Sequence, residues 1–116
     1  MTQIYKIFLP EQWAQFSRDK VFNGAPIDLA DGYIHLSARD QAVETADKHF
    51  SDYSAIIIAR INADTLPDNL EGALKWETSR SGAKFPHLYA PLPFAVIDGY
   101  WSVEKGEQGF AFPKDF

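Results

Sequence analysis

The stretch Ala55-Ile-Ile-Ile-Ala-Arg-Ile61 is the most apolar segment of the chain, and it decides the fold class. Its three adjacent isoleucines favour a strand, because branched side chains pack well on a pleated surface. The apolar run is unbroken, which is typical of a strand that is buried at the centre of a sheet. We therefore expect a sheet with this strand in its interior.

Two elements and a connection precede a short strand in the first third of the chain. Ile4–Leu9 is rich in branched and aromatic residues and is predicted as the first strand. Pro10 suits the first turn of a helix, which we expect to end by about Lys20. The turn-forming pairs of Phe22–Gly32 predict an ordered connection with little regular structure.

A strand and an amphipathic helix follow this connection. Tyr33–Leu36 is predicted as a short strand, and Ser37 is placed to cap the next helix with Asp40 three residues on. Apolar residues at three- and four-residue spacing continue the helix to about Phe50.

The second half of the chain is predicted to be rich in strands. Leu74–Thr78 alternates apolar with polar residues, as a half-buried strand does. Phe85–Pro93 has three prolines, which exclude a helix or a central strand and favour an extended path. A last strand, Phe94–Val103, is interrupted by Gly99. The order β-α-β-α-β-β-β predicts an α+β domain with a mixed or mostly antiparallel sheet.

Size and composition limit the functions that are open to the chain. Its 116 residues predict one domain over 1–103, and the aromatic residues of 104–116 predict a docked or partly ordered tail. The net charge of −5 makes binding to nucleic acid improbable. The absence of cysteine excludes disulfides and thiol nucleophiles.

The location of the protein is expected from its hydropathy. The longest apolar run, 55–59, is far shorter than the roughly 20 residues that span a bilayer. The N-terminus has no pattern of a signal peptide. We expect a cytoplasmic protein that does not bind membranes; the sequence leaves its oligomeric state open.

His35 is the first residue that carries a functional hypothesis. Strand alternation places it on the same face as Tyr33 and Ser37, and opposite Ile34 and Leu36. A Tyr-x-His-x-Ser line offers donors and acceptors to a polar ligand, and histidine can deprotonate a hydroxyl near neutral pH. The alternative is a structural histidine that ties the loop to the helix, with Ser37 as a cap.

A second cluster follows the strand at 74–78. Glu77 and Arg80 lie where this strand enters a loop, and the alternative for such a pair is a solvated surface ion pair. The prolines around His87 restrict its backbone, which helps to present a side chain to a site. Tyr89 lies on the same side as His87 if the segment is extended.

No metal site is expected. The three histidines have no His-x-His or His-x-x-x-His spacing. His49 is predicted in the last turn of a helix, where a partly cationic imidazole complements the dipole and needs no further role.

Four segments resemble the bacterial family called domain of unknown function 952, over about residues 4–101. They are Ile4-Tyr-Lys-Ile7, Asp31-Gly-Tyr-Ile-His-Leu-Ser37, Lys75-Trp-Glu77 and Phe85-Pro-His-Leu-Tyr-Ala-Pro-Leu-Pro93. Members of this family look like the ADP-ribosylation fold, a split mixed sheet with two main helices whose enzymes hold NAD in the cleft. The segment 34–64 is also similar to RNA 2′-phosphotransferases, which use NAD to remove a phosphate.

This resemblance implies a set of site residues. His35 and Glu77 become the candidate catalytic residues, with Glu77 the nearest match to the glutamate of ADP-ribosyltransferases. Tyr5 and Lys6 fall at the first polar motif, where those enzymes carry histidine and this chain does not. The candidate ligand-binding residues are Tyr5, Lys6, Tyr33, Ser37, Trp76, Arg80, His87 and Tyr89.

Three functions are open at this point. The first is a binding module for a small nucleotide-like ligand, which the missing motif histidine favours. The second is an NAD-dependent ADP-ribosyl or phosphate transferase, with NAD as its cofactor. The third is a structural or protein-interaction domain, for which His35, Arg80 and His87 would not converge.

Overall fold

The structure of the chain is a computed structural model that describes residues 2–79 and 82–116. The strands are β1 (Gln3–Phe8), β2 (Val21–Phe22), β3 (Ile34–His35), β4 (Ser37–Ala38), β5 (Ala55–Asn62), β6 (Leu74–Thr78), β7 (Lys84–Leu88), β8 (Leu92–Pro93), β9 (Ile97–Gly106) and β10 (Gly109–Phe110). The helices are α1 (Pro10–Asp19), α2 (Pro26–Asp31), α3 (Arg39–His49) and α4 (Asp68–Glu71). Short 3-10 turns cover 63–65 and 94–96.

The strands form three antiparallel sheets. Their orders are β10-β9-β5-β1-β4, β3-β7-β6 and β2-β8, and every pairing between described strands is antiparallel. The α+β class is confirmed, and α1 and α3 are the two longer helices. None of the described helices is long and apolar enough to cross a membrane.

β5 lies in the middle of the five-stranded sheet and is covered on both faces. Ile57 and Ile61 pack on one side with β1, α1 and the three-stranded sheet, while Ile56 and Ile58 pack on the other side against α3. This two-sided burial explains the unbroken apolar run, and the prediction of a buried central strand is confirmed.

The segment around Leu36 joins two sheets. β3 pairs with β7, and two residues later β4 pairs with β1, so the chain leaves one sheet and enters the other at Leu36. The predicted single strand over Tyr33–Leu36 is therefore two short strands. Because Ser37 pairs with Tyr5 in β4, it is not the helix cap: α3 begins at Arg39, after Ala38.

β7 is the central strand of its sheet, so the prediction that Phe85–Pro93 holds no central strand is wrong. Proline has no backbone N–H to donate, and Pro86 lies beyond the last paired residues of β3 and β7, His35 and His87. The carbonyl of Pro86 accepts from the backbone N–H of Leu36 at 3.1 Å, and no N–H of Pro86 is required in return.

α2 lies within the predicted irregular connection. Pro26 occupies its first turn, and the backbone N–H of Ala25 donates to the Asp28 carboxylate at 2.8 Å. Ile27 and Leu29 are 61% and 66% exposed, whereas Asp28 is buried. The helix thus has no apolar stripe to reveal it in the sequence.

The last strand and the tail depart from the predicted bounds. Residues 94–96 form a 3-10 turn, and β9 starts at Ile97 and runs past Val103 to Gly106, with a bulge opposite Arg60 and Ile61. Phe110 and Phe116 are buried beneath α3 and β1.

Candidate functional site

Asp28 is the centre of a buried polar network that includes Lys6 and His35. Its carboxylate accepts from the Lys6 ammonium at 3.0 Å, from Nδ1 of His35 at 2.6 Å and from the backbone N–H of His35 at 3.0 Å. The side chains of Lys6 and Asp28 are only 7% and 1% exposed. One carboxylate therefore ties β1, α2 and β3 together.

The charges of this network are set by burial and by pairing. Burial alone would raise the pKa of Asp28, but the hydrogen bonds from His35 and the charge of Lys6 outweigh it and hold that pKa well below its usual value. Burial lowers the pKa of Lys6, and the nearby Asp28 carboxylate opposes this shift. Loss of Asp28 would leave the Lys6 ammonium buried without a counter-charge, whereas Asp28 without Lys6 would still contact His35.

Both ring nitrogens of His35 contact carboxylates. Nδ1 lies 2.6 Å from Asp28, and Nε2 lies 2.9 Å from Asp31. An ionised carboxylate only accepts hydrogen bonds, and a neutral imidazole has a single N–H. When both carboxylates are ionised, the geometry therefore requires His35 to be the imidazolium, held as a donor on both sides.

Glu77 orients the side chain of His87. Its Oε1 accepts from Nδ1 of His87 at 2.8 Å and from the Tyr89 hydroxyl at 2.6 Å. The hydrogen bonds from Tyr89 and then His87 lower the pKa of Glu77. The same carboxylate raises the pKa of Tyr89 to about 12.

Tyr33 lies between the histidines. Its ring stacks on His87 with centroids 4.0 Å apart, and its centroid lies 4.7 Å from that of His35 and 5.2 Å from that of Tyr89. Burial and the nearby carboxylates of Asp31, Glu77 and Asp28 raise the pKa of Tyr33. The centroids of the two imidazoles are 5.7 Å apart.

Tyr33, His35 and His87 line a cavity of about 730 Å³. Its lining has three parts: an apolar wall, hydroxyl groups and ionisable groups. The apolar residues are Ile7, Ile27, Leu36, Phe50 and Phe85, the hydroxyl residues are Tyr33, Ser37, Thr45, Thr78 and Ser79, and the ionisable residues are Lys6, Asp31, His35, His49 and His87. All three histidines of the chain thus line one cavity.

Most of the residues predicted from sequence meet at this cleft. Lys6, Tyr33, His35, Ser37 and His87 line the large cavity. Tyr89 lines an adjoining cavity of about 260 Å³, which shares Tyr33 with the large one. Glu77 contacts the cleft through His87 and Tyr89.

Besides Glu77, two predicted residues do not line either cavity. Tyr5 is buried on the opposite face of β1, where its ring lies 5.1 Å from that of Phe116, because neighbouring residues of a strand point to opposite faces. Trp76 is 41% exposed and is separated from Glu77 by the same alternation in β6. Arg80 lies outside the described residues.

Sequence reasoning missed residues on two elements. Asp28 and Asp31 belong to α2, whose start was signalled by Pro26 with an acidic residue two positions on. His49 and Thr45 come from α3, and the reading of His49 as only a helix-end residue is incomplete because it also lines the cavity. Within residues 2–79 and 82–116, no group of three or more acidic, histidine or cysteine residues is placed to hold a metal ion.

A family model described as "Protein of unknown function (DUF952)" matches residues 7–99. The chain belongs to the DUF952 family. This confirms the family resemblance drawn from the histidine motifs. A comparison with the curated proteins gives no match.

Solved structures of a bacterial protein share the fold of this chain. The crystal structure of protein CC0527 from Caulobacter crescentus has 39% sequence identity and a TM-score of 0.84, covering 94% of this chain and 92% of that one. The solution NMR structure of the same protein has 40% identity and a TM-score of 0.82, covering 95% of this chain and 91% of that one. A double mutant of CC0527 gives a TM-score of 0.84 at 38% identity, covering 94% of this chain and 92% of that one.

Proposed function

We propose that the cleft of this DUF952 chain binds a small nucleotide-like ligand. The observation that carries the proposal is the convergence of Tyr33, His35 and His87 on one cavity of about 730 Å³. Cavities of roughly 300–1,000 Å³ hold small molecules, and they combine apolar walls with a few oriented polar groups.

The apolar wall suits the base of a nucleoside, and the polar residues of the lining suit its ribose. Ile27, Phe50 and Phe85 offer apolar surface to a flat ring. His87 and Ser37 offer polar atoms to ribose hydroxyls. His35 and His87 are held by carboxylates before any ligand arrives, so little freedom of these two side chains is lost on binding.

We also propose that the architecture is of the ADP-ribosylation type. A five-stranded and a three-stranded sheet meet at Leu36 and flank the cleft, which supports a split-sheet relationship. The antiparallel pairing of every described strand is the point at which the chain departs from the mixed sheet that the resemblance implies. A cytoplasmic location stays a prediction from the sequence.

Thermal denaturation with added nucleosides, nucleotides and NAD tests the binding proposal. We expect at least one of them to raise the melting temperature in a saturable way. Thr45→Phe places a ring in the cavity and should abolish the shift, whereas Glu44→Phe adds the same ring beside it on the exposed side of α3 and should not. Indifference of the wild type to every compound would reject the proposal.

A second candidate is NAD-dependent ADP-ribosyl or phosphate transfer. It is favoured by Glu77, whose pKa is lowered by the hydrogen bonds from Tyr89 and His87, so that a carboxylate is present beside the cleft. Such a group can stabilise an oxocarbenium-like ribosyl centre. Release of labelled nicotinamide from NAD tests it: loss of release in Glu77→Gln and in His35→Ala, but not in Asp98→Asn, supports transfer, and no release by the wild type rejects it.

A purely structural or protein-interaction role is the third hypothesis. It predicts that His35, Arg80 and His87 do not converge, whereas the ring centroids of the two described residues, His35 and His87, are 5.7 Å apart in one cavity. We therefore favour the two ligand-based functions.

A further inference from the structure

We propose that the cleft recognises an uncharged, hydroxyl-bearing ligand, a nucleoside in preference to its phosphate, and that Nε2 of His87 accepts a hydrogen bond from a ligand hydroxyl. This inference rests on the proposed binding function and names the chemical class of the ligand. It follows from which polar atoms of the cavity lining already have a hydrogen-bond or ion-pair partner.

His87 offers an acceptor to the cavity. The carboxylate of Glu77 accepts from Nδ1, so the single proton of the neutral ring resides on Nδ1. Nε2 then carries a lone pair, and it has no hydrogen-bond partner among residues 2–79 and 82–116. Tyr89 donates to the same carboxylate oxygen and so keeps Glu77 an acceptor. In water the usual tautomer has the proton on Nε2, so Glu77 selects the opposite one.

Lys6 and His35, which line the cavity, are already paired with carboxylates. Lys6 is bound to Asp28, and both nitrogens of His35 contact the carboxylates of Asp28 and Asp31. A phosphate could recruit Lys6 only by taking it from Asp28, which would leave that buried carboxylate with His35 as its remaining side-chain partner among the described residues. It would also approach Asp31, a partly exposed carboxylate on the cavity wall. An anionic group is therefore disfavoured at the part of the cavity formed by Lys6, His35 and Asp31.

Hydroxyl groups meet matching partners in the same cavity. Ser37, Thr45 and Thr78 line the cavity, their hydroxyls can both donate and accept, and His87 adds an acceptor without charge. On the apolar wall, the base of a nucleoside would contact Phe50 and Phe85 and would be removed from water. This donor and acceptor set fits a ribose better than it fits a phosphate.

The ligand class is tested by isothermal titration at pH 7.5 with adenosine, guanosine, cytidine and uridine, each beside its 5′-monophosphate. We expect the nucleoside that binds to do so at least as tightly as its monophosphate. Its 2′- or 3′-deoxy form should bind about 3- to 10-fold more weakly, the effect of one neutral hydrogen bond. A monophosphate that binds tenfold tighter than its nucleoside would overturn this inference but leave the binding function standing. Failure of all eight compounds and of NAD to bind would overturn the proposed function.

The role of His87 is tested without a ligand by nitrogen NMR of the imidazole rings. We expect the Nδ1-protonated neutral tautomer for His87 in the wild type and in Trp76→Phe, and the Nε2-protonated tautomer in Glu77→Leu, which removes the acceptor from Nδ1. The nucleoside affinity should fall about 3- to 10-fold in Glu77→Leu and stay unchanged in Trp76→Phe. The amide spectrum of each variant shows whether it is folded. An Nε2-protonated His87 in the folded wild type would overturn the inference.

Discussion

Lys6 and Asp28 form an ion pair at 3.0 Å in which both side chains are almost completely buried. The pair joins the first strand of the central sheet to the short helix α2, and Asp28 in turn holds His35. The cleft thus depends on a charge pair inside the domain, so its integrity can be measured as stability as well as binding.

Asp28→Asn is expected to lower the free energy of unfolding by about 3–5 kcal/mol, because it leaves the Lys6 ammonium buried without its counter-charge. Lys6→Met should cost less, since His35 still pairs with Asp28. The double variant should be less destabilised than the sum of the two. Urea unfolding of the four proteins measures this, and simple additivity would contradict the coupling.

Acid should destabilise the protein through Asp28. Its pKa is lowered in the folded state, so the unfolded chain takes up the proton first as the pH falls. The stability that Asp28 contributes is full above about pH 4, the ordinary range of an aspartate pKa, and is lost as the pH drops below it. Urea midpoints between pH 7 and pH 2 should show a steep acid limb that is weaker in Asp28→Asn. Equal limbs in both proteins would rule Asp28 out as its source.

Tyr89 should ionise unusually late. Its hydroxyl donates to Glu77, which raises the pKa of Tyr89 to about 12. Glu77→Gln removes the charge and should return this pKa toward 10, the ordinary value of tyrosine. Absorbance at alkaline pH, compared with Tyr89→Phe to isolate the one tyrosine, measures the shift. A Tyr89 that titrates alike with and without the carboxylate would contradict the geometry.

Phe116 should stabilise the central sheet. Its ring lies 5.1 Å from that of Tyr5 and 4.6 Å from the guanidinium of Arg39, and it is 6% exposed. Phe116→Ala is expected to cost about 3 kcal/mol, because it removes a buried ring. Phe112→Ala, at a less buried position, is the control and should cost less. A stability equal to that of the wild type would show that the tail does not dock in solution.

The strands and the longer helices were predictable because local pattern reflects their burial. The unbroken apolarity of Ala55–Ile61 is what a strand needs when both of its faces are covered, and it predicted β5 correctly. The alternation around His35 predicted that Ile34 and Leu36 are in the core, where both are buried, and His35 lines the cavity.

The missed features depend on tertiary contacts that no local pattern records. α2 buries a carboxylate and exposes Ile27 and Leu29, which is the reverse of the usual hydrophobic signal. Pro86 fits a central strand only because β3 ends beside it. His49 lines the cavity because α3 packs across β1. This packing cannot be predicted from the position of His49 at the end of a helix.

The most direct test of the cleft as a binding site is an NMR titration that follows the rings of all three histidines while a nucleoside that stabilises the protein is added. We predict saturable shifts of His35, His49 and His87 together with Tyr33, all lost in Thr45→Phe. No ring shift at saturation, or shifts confined to residues outside the cavity such as Trp76, would contradict the account.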